Sequence, residues 1–165
     1  MQLNAARFAQ NGNAGYVLKP EILRKPAAAK GGLEISKLKI QLVHGFQLNA
    51  PKSNNRMSRR RDRDLSPIVE VEVVGLKTLL LASASAKGGE LPEWNDTFEF
   101  DVSMPDIALV RFNVFDDKTK ESLGAYALPV SSLLPGFRRI PLNKYKPFAV
   151  VENTPASLFI NVSFA

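Results

Sequence analysis

The sequence predicts an all-β protein of eight short antiparallel strands, and three observations point there. Apolar residues recur at every second position in run after run; Gly, Pro, Asn and Ser interrupt the runs at the spacing of a sandwich; and no stretch sustains a helical period. A strand patterned this way has one wet and one dry face. Two antiparallel sheets packed through their dry faces, with Greek-key connections, are the arrangement that buries all the dry faces at once.

Residues 1–24 stand apart. Leu3, Phe8, Tyr16, Val17, Leu18, Ile22 and Leu23 are scattered without a period of 2 or 3.6, so this segment cannot bury itself and needs a host surface. Lys25-Pro-Ala-Ala-Ala-Lys-Gly-Gly32 reads as a linker over 25–33, with proline at its entry and glycines at its exit. The strands then follow over 34–165. Leu38, Ile40 and Leu42 alternate with Lys37, Lys39 and Gln41; Val69, Val71 and Val73 alternate with Glu70 and Glu72. Phe98, Phe100 and Val102 form the next apolar row, then Val110, Phe112 and Val114, and finally Leu158, Ile160, Val162 and Phe164. Weaker runs at Lys77–Ser83, Ser122–Val130 and Phe137–Leu142 bring the number to eight. No internal repeat is present.

A chain of 165 residues, nearly half of them apolar, can build one ordinary core plus a short appendage. Without cysteine it has neither a disulfide framework nor a thiolate metal site, which fits a reducing compartment. No window reaches the roughly 18 consecutive apolar residues of a spanning helix. The excess of 22 Lys+Arg over 16 Asp+Glu is +6. Most of it sits in one place: between Asn49 and Ser66, six basic residues (Lys52, Arg56, Arg59, Arg60, Arg61, Arg63) stand against Asp62 and Asp64, so six minus two puts +4 there.

Asn11-Gly-Asn-Ala-Gly-Tyr-Val-Leu-Lys-Pro20, with Leu23-Arg24 beyond it, resembles the segment that closes the catalytic barrel of eukaryotic phosphoinositide-specific phospholipase C. In that family a C2 sandwich follows, and the later runs resemble its parts in order. Leu38 to Leu48 is similar to the first strand and its exit turn, and Pro67-Ile-Val-Glu-Val-Glu-Val-Val-Gly75 to the second. Pro92-Glu-Trp94 with Phe98-Glu-Phe100 matches an Asn-Pro-x-Trp-x-x-x-Phe-x-Phe pattern, with Leu91 in the place of the asparagine. Pro105-Asp-Ile-Ala-Leu-Val-Arg-Phe112 is the closest match. The resemblance implies an eight-stranded antiparallel C2-type β-sandwich preceded by a stub, residues 1–24, from the end of a TIM-like barrel. It also implies that the sequence is the C-terminal piece of a longer polypeptide.

Members of that family hydrolyse phosphatidylinositol 4,5-bisphosphate to diacylglycerol and inositol trisphosphate with two histidines and a catalytic calcium. The only histidine here is His44, at a strand end, where it reads as a surface or hydrogen-bonded residue. No catalytic residue is therefore assigned, and the chain alone is expected to be inactive. Trp94 reads as a packing residue and Arg111 as a solvated one. Calcium-binding C2 domains hold the ion with aspartates from loops at one end. Here Ser66 takes the place of one aspartate, Lys87 falls near another, and the last loop reads Asp116-Asp117-Lys118. Asp116, with Asp117 and Glu121 as substitutes, is the degenerate remnant of that set, so calcium is expected in the parent enzyme's catalytic site but not bound firmly by this chain. Asp62 and Asp64 could swing in from the basic loop.

The resemblance further implies two partners, an anionic phospholipid membrane and the missing catalytic barrel, and a cytoplasmic location, peripheral on the inner face of the plasma membrane. The residues of the 49–66 segment leave three readings open. It is a basic patch for anionic lipid, a solvated insertion, or a phosphate-binding segment for nucleic acid. The last lacks an interleaved aromatic platform, so no nucleic-acid partner is assigned. A stand-alone C2-like module that binds proteins is the alternative to a membrane-docking one.

Overall fold

The computed structural model describes residues 2–12, 14–16, 18–19, 21–24, 35–48, 65–86, 91–144 and 152–165. Eight strands form: β1 (Ile35–Phe46), β2 (Pro67–Val74), β3 (Thr78–Ala82), β4 (Glu93–Ser103), β5 (Leu109–Asp116), β6 (Ser122–Pro129), β7 (Gly136–Lys144) and β8 (Glu152–Phe164). Every pairing is antiparallel, in the order β3-β2-β5-β6-β7-β8-β1-β4. The two expected sheets are thus halves of one continuous sheet, joined where β6 meets β7 through the single pair Ala125 and Asn143. Gly124 makes that corner possible: its φ is +155°, and a Cβ there would lie 2.9 Å from Cβ of Leu142.

Alternation sets the register. Val71 faces Phe112, Ile40 faces both Phe98 and Val162, and these inward pairs from both halves belong to one buried cluster. The intervening residues are the wet rows, as Lys39 and Glu99 show with their exposed ion pair of 3.0 Å. Phe164 departs from the alternation: at the end of β8 it is 40% exposed, although its partner Leu38 on β1 is fully buried.

The N-terminal segment is not the patternless stretch its sequence suggests. Gln2–Ala9 forms a helix, α1, and Glu21–Arg24 a single turn, α2. In α1 the buried Ala6 packs with Leu109 of β5 and Ala127 of β6, with Leu3 alongside, and the Arg7 guanidinium donates to the carbonyl of Ile107. The sandwich itself is the host surface. The spacing Leu3, Ala6, Arg7 is helical, but too few large apolar side chains mark it for a periodicity reading to detect. Helix α1 ends at Ala9 and runs into a turn whose last residue, Gly12, has a φ of +68° and donates its N–H to the carbonyl of Ala9 at 3.4 Å. The linker expected over 25–33 lies outside the described residues.

Phe112 is the largest fully buried side chain. Phe112→Ala is expected to lower unfolding stability by about 3–5 kcal/mol in urea denaturation, whereas Lys39→Ala, which breaks only the exposed pair, is expected to leave it nearly unchanged. Comparable losses for the two would contradict this packing.

Candidate functional site

The end of the sandwich where the chain leaves β1, enters β2, passes from β3 to β4 and turns between β5 and β6 is tied together by backbone bonds. The N–H of Gly45 donates to the carbonyl of Pro92 at 2.8 Å, and that of Ala86 to Pro67 at 3.1 Å. Trp94 is half-buried against the core and donates from Nε1 to the carbonyl of Pro67 at 3.3 Å, the packing role its type predicts. Leu48 and Leu65, which flank the basic segment, are both buried in the core. The segment therefore leaves and rejoins the fold at this end. Its residues Lys52, Arg56, Arg59, Arg60, Arg61 and Arg63, with Asp62, Asp64 and Lys87, lie outside the described residues.

Asp116 closes the end of β5 and is only 3% exposed. One carboxylate oxygen, Oδ1, accepts from the N–H of Ser66 at 2.8 Å; the other, Oδ2, accepts from the N–H of Thr119 at 3.0 Å and its hydroxyl at 2.8 Å. The turn is completed by the N–H of Lys120, which donates to the Asp116 carbonyl at 2.7 Å with Lys120 in the left-handed region, φ +58°. Burial pushes the Asp116 carboxyl upward, but the donors on Ser66 and Thr119 and the nearby charge of Lys118 outweigh it, so the group ionises below the ordinary aspartate range. Asp117 is paired instead with Lys120, at 2.7 Å. Glu121 is exposed, and its carbonyl accepts from the N–H of Asp116 at 3.0 Å.

The three carboxylates thus share one turn without forming a cation cage. Both oxygens of Asp116 are engaged by this chain's own donors, Asp117 is neutralised, and among the described residues no three acidic or histidine side chains converge as metal ligands would. Sequence reasoning placed Asp116 in this loop but not its hydrogen bonds; the signal for them was Thr119 three residues on, the spacing of a carboxylate that caps its own turn.

The remaining candidates are accounted for locally. Nδ1 of His44 lies 3.3 Å from the carbonyl of Gly45, and the ring stacks on Phe159 at 5.1 Å between centroids. Arg111 faces outward, as expected, yet is not simply solvated: it pairs with Glu72 at 2.7 Å and its Nε is buried without a hydrogen-bond partner among the described residues.

The sequence profile of the C2 domain matches residues 36–144. The chain belongs to the C2 domain family. Its relatives include 1-phosphatidylinositol 4,5-bisphosphate phosphodiesterases and inactive phospholipase C-like proteins, and the match takes in nearly the whole chain. The 1-phosphatidylinositol 4,5-bisphosphate phosphodiesterase eta-1 of Homo sapiens is 35% identical over 99% of this chain. The gamma enzyme plc-3 of Caenorhabditis elegans is 34% identical over 88% of it. This chain spans only about a tenth of either relative, 10% and 11%. Among solved structures, that of PLC21 from L. pealei superposes with a TM-score of 0.71 at 26% identity, covering 98% of this chain and 21% of that one. The similarity takes in the N-terminal helices as well as the C2 strands.

Replacing Asp116 by Ala strands three donors and is expected to cost about 2–3 kcal/mol of stability at neutral pH. A carboxyl whose ionisation is favoured in the folded state stabilises above the unfolded value of about 4 and loses that contribution as pH falls through its folded value. The stability gap between the native chain and Asp116→Asn, followed by urea denaturation, should therefore narrow on acidification below about pH 4. A gap independent of pH would show that the carboxylate's charge does not hold the turn.

Proposed function

We propose that this C2 domain is the membrane-docking module of a phosphoinositide-specific phospholipase C, working on the cytoplasmic face of the plasma membrane, and that its loop end adheres to anionic lipid through basic charge rather than bound calcium. One observation carries the reading: the segment bearing +4 is rooted by the buried Leu48 and Leu65 at the same end as a last loop whose principal carboxylate, Asp116, is already occupied. Calcium in C2 loops bridges acidic side chains to acidic head groups. A loop already positive needs no bridge, because each Lys or Arg near an anionic leaflet contributes about 1 kcal/mol, over a range set by the Debye length.

The parent polypeptide would hydrolyse phosphatidylinositol 4,5-bisphosphate, the substrate in the names of its relatives, using a catalytic barrel whose calcium and histidines lie elsewhere. With His44 held against Phe159 and no second histidine in the sequence, residues 1–165 by themselves are not the catalyst. A turnover assay with that lipid should give no product; measurable hydrolysis would overturn this part of the reading.

Docking is tested by co-sedimentation of the chain with phosphatidylserine-containing vesicles across a salt series. Binding should fall steeply with ionic strength, be unchanged by a calcium chelator, and weaken about tenfold to a hundredfold when Arg59, Arg60 and Arg61 are replaced by Gln. Binding that requires calcium would refute the charge mechanism. Absence of vesicle binding would favour a C2 module that binds proteins.

A further inference from the structure

Two exposed apolar residues meet where β1 ends and β4 begins. His44 faces Glu93 in the pairing of these strands, and the N–H of Gly45 donates to the carbonyl of Pro92 at 2.8 Å, so the same register carried one step further sets Phe46 opposite Leu91. Alternation turns Gly45 and Pro92 inward and Phe46 and Leu91 outward, where they are 44% and 58% exposed. The pair stands on a packed floor. Leu48 is fully buried, Gln47 turns the chain between Phe46 and Leu48 with a left-handed φ of +51°, and a Cβ on Gly45 would lie 2.8 Å from Cδ1 of Leu48 and 3.1 Å from Cγ of Pro92. The basic segment begins in sequence at Asn49, directly after Leu48. Over residues 87–93 one lysine, Lys87, stands against Glu90 and Glu93, which lowers the +4 of the 49–66 segment only to +3.

We propose that Phe46 and Leu91 form an apolar anchor that enters the headgroup and acyl boundary of an anionic leaflet beside the basic charge. The anchor rests on the docking reading above and adds to it a component that salt does not screen, because burial of apolar surface does not weaken with ionic strength as attraction between charges does. Two arguments select lipid as the occupant. The pair shares its end of the fold with the largest concentration of positive charge in the sequence, which an anionic surface complements. A protein partner needs about 800 Å² on each side of an interface, far more than two side chains at the end of a strand pair supply, whereas a bilayer takes up apolar groups to a depth of about 5–10 Å, within reach of one Phe and one Leu.

The cysteine-free sequence allows a single polarity-sensitive fluorophore to be placed at will. Attached at Leu91→Cys, it should shift to the blue on vesicles of equimolar phosphatidylcholine and phosphatidylserine and be quenched by brominated acyl chains. Attached at Leu134→Cys, which is 61% exposed between β6 and β7 at the opposite end, it should do neither. The double substitution Phe46→Ser with Leu91→Ser, confirmed as folded by thermal unfolding, should weaken vesicle binding about tenfold to a hundredfold at about 1 M salt, where the Debye length is about 3 Å. Vesicle binding without a shift at residue 91, equal shifts at 91 and 134, or high-salt binding untouched by the double substitution overturns the anchor and leaves docking by charge standing. Absence of vesicle binding overturns both.

Discussion

A strand with one apolar face must bury that face against another strand's, and everything else in this molecule follows from how that requirement is met. One antiparallel sheet of eight strands doubles back at the narrow β6–β7 junction, and the inward rows of its halves, with Phe112, Val71, Ile40 and Ile160 among them, share a single core. The junction depends on Gly124, where the approach of Leu142 leaves no room for a Cβ. Because the layers are fixed by their registers, the ends of β1, β3 and β5 and the starts of β2, β4 and β6 come to the same end of the sandwich. The sheet keeps two unjoined edges, β3 and β4, and only side-chain chemistry distinguishes one from the other: β4 carries Glu93, Glu99 and Asp101, while β3 is uncharged.

At the loop end, Asp116 illustrates how one carboxylate serves either a metal or the fold. Here its two oxygens accept hydrogen bonds from Ser66 and Thr119, which tie the start of β2 to the turn after β5. The turn is self-sufficient. Positive charge is concentrated in the sequence between Leu48 and Leu65, both of which are buried in the core.

The N-terminal helix packs on the strands that follow it. Leu3 and Ala6 cover Leu109 and Ala127, and Arg7 reaches the carbonyl of Ile107, so the segment ahead of the strands shares a small apolar contact with the outer face of β5 and β6. The small outward residues Ala125 and Ala127 of β6 are the trace of that contact in the sequence, since a helix approaches a sheet closely only over short side chains. Similarity to phospholipase C relatives that continues through this helix is consistent with a contact retained as part of one unit.

The sequence alone determined the strands and their inward faces, because period-2 alternation is a local property and each run states which side must be dry. Val69 to Val73, Val110 to Val114 and Leu158 to Val162 could be read directly, and so could the charge of the 49–66 segment. It did not determine what depends on neighbours distant in the chain. The role of Asp116 rests on Ser66, fifty residues earlier, and the burial of Ala6 on strands a hundred residues later. The ion pair of Arg111 rests on the register of β5 against β2, and Phe164, apolar in the period-2 pattern, is 40% exposed at the end of β8. Local pattern fixes which face of a strand is apolar; which partner meets that face, and which polar atoms are then left to bond one another, is decided only when the sheet closes on itself.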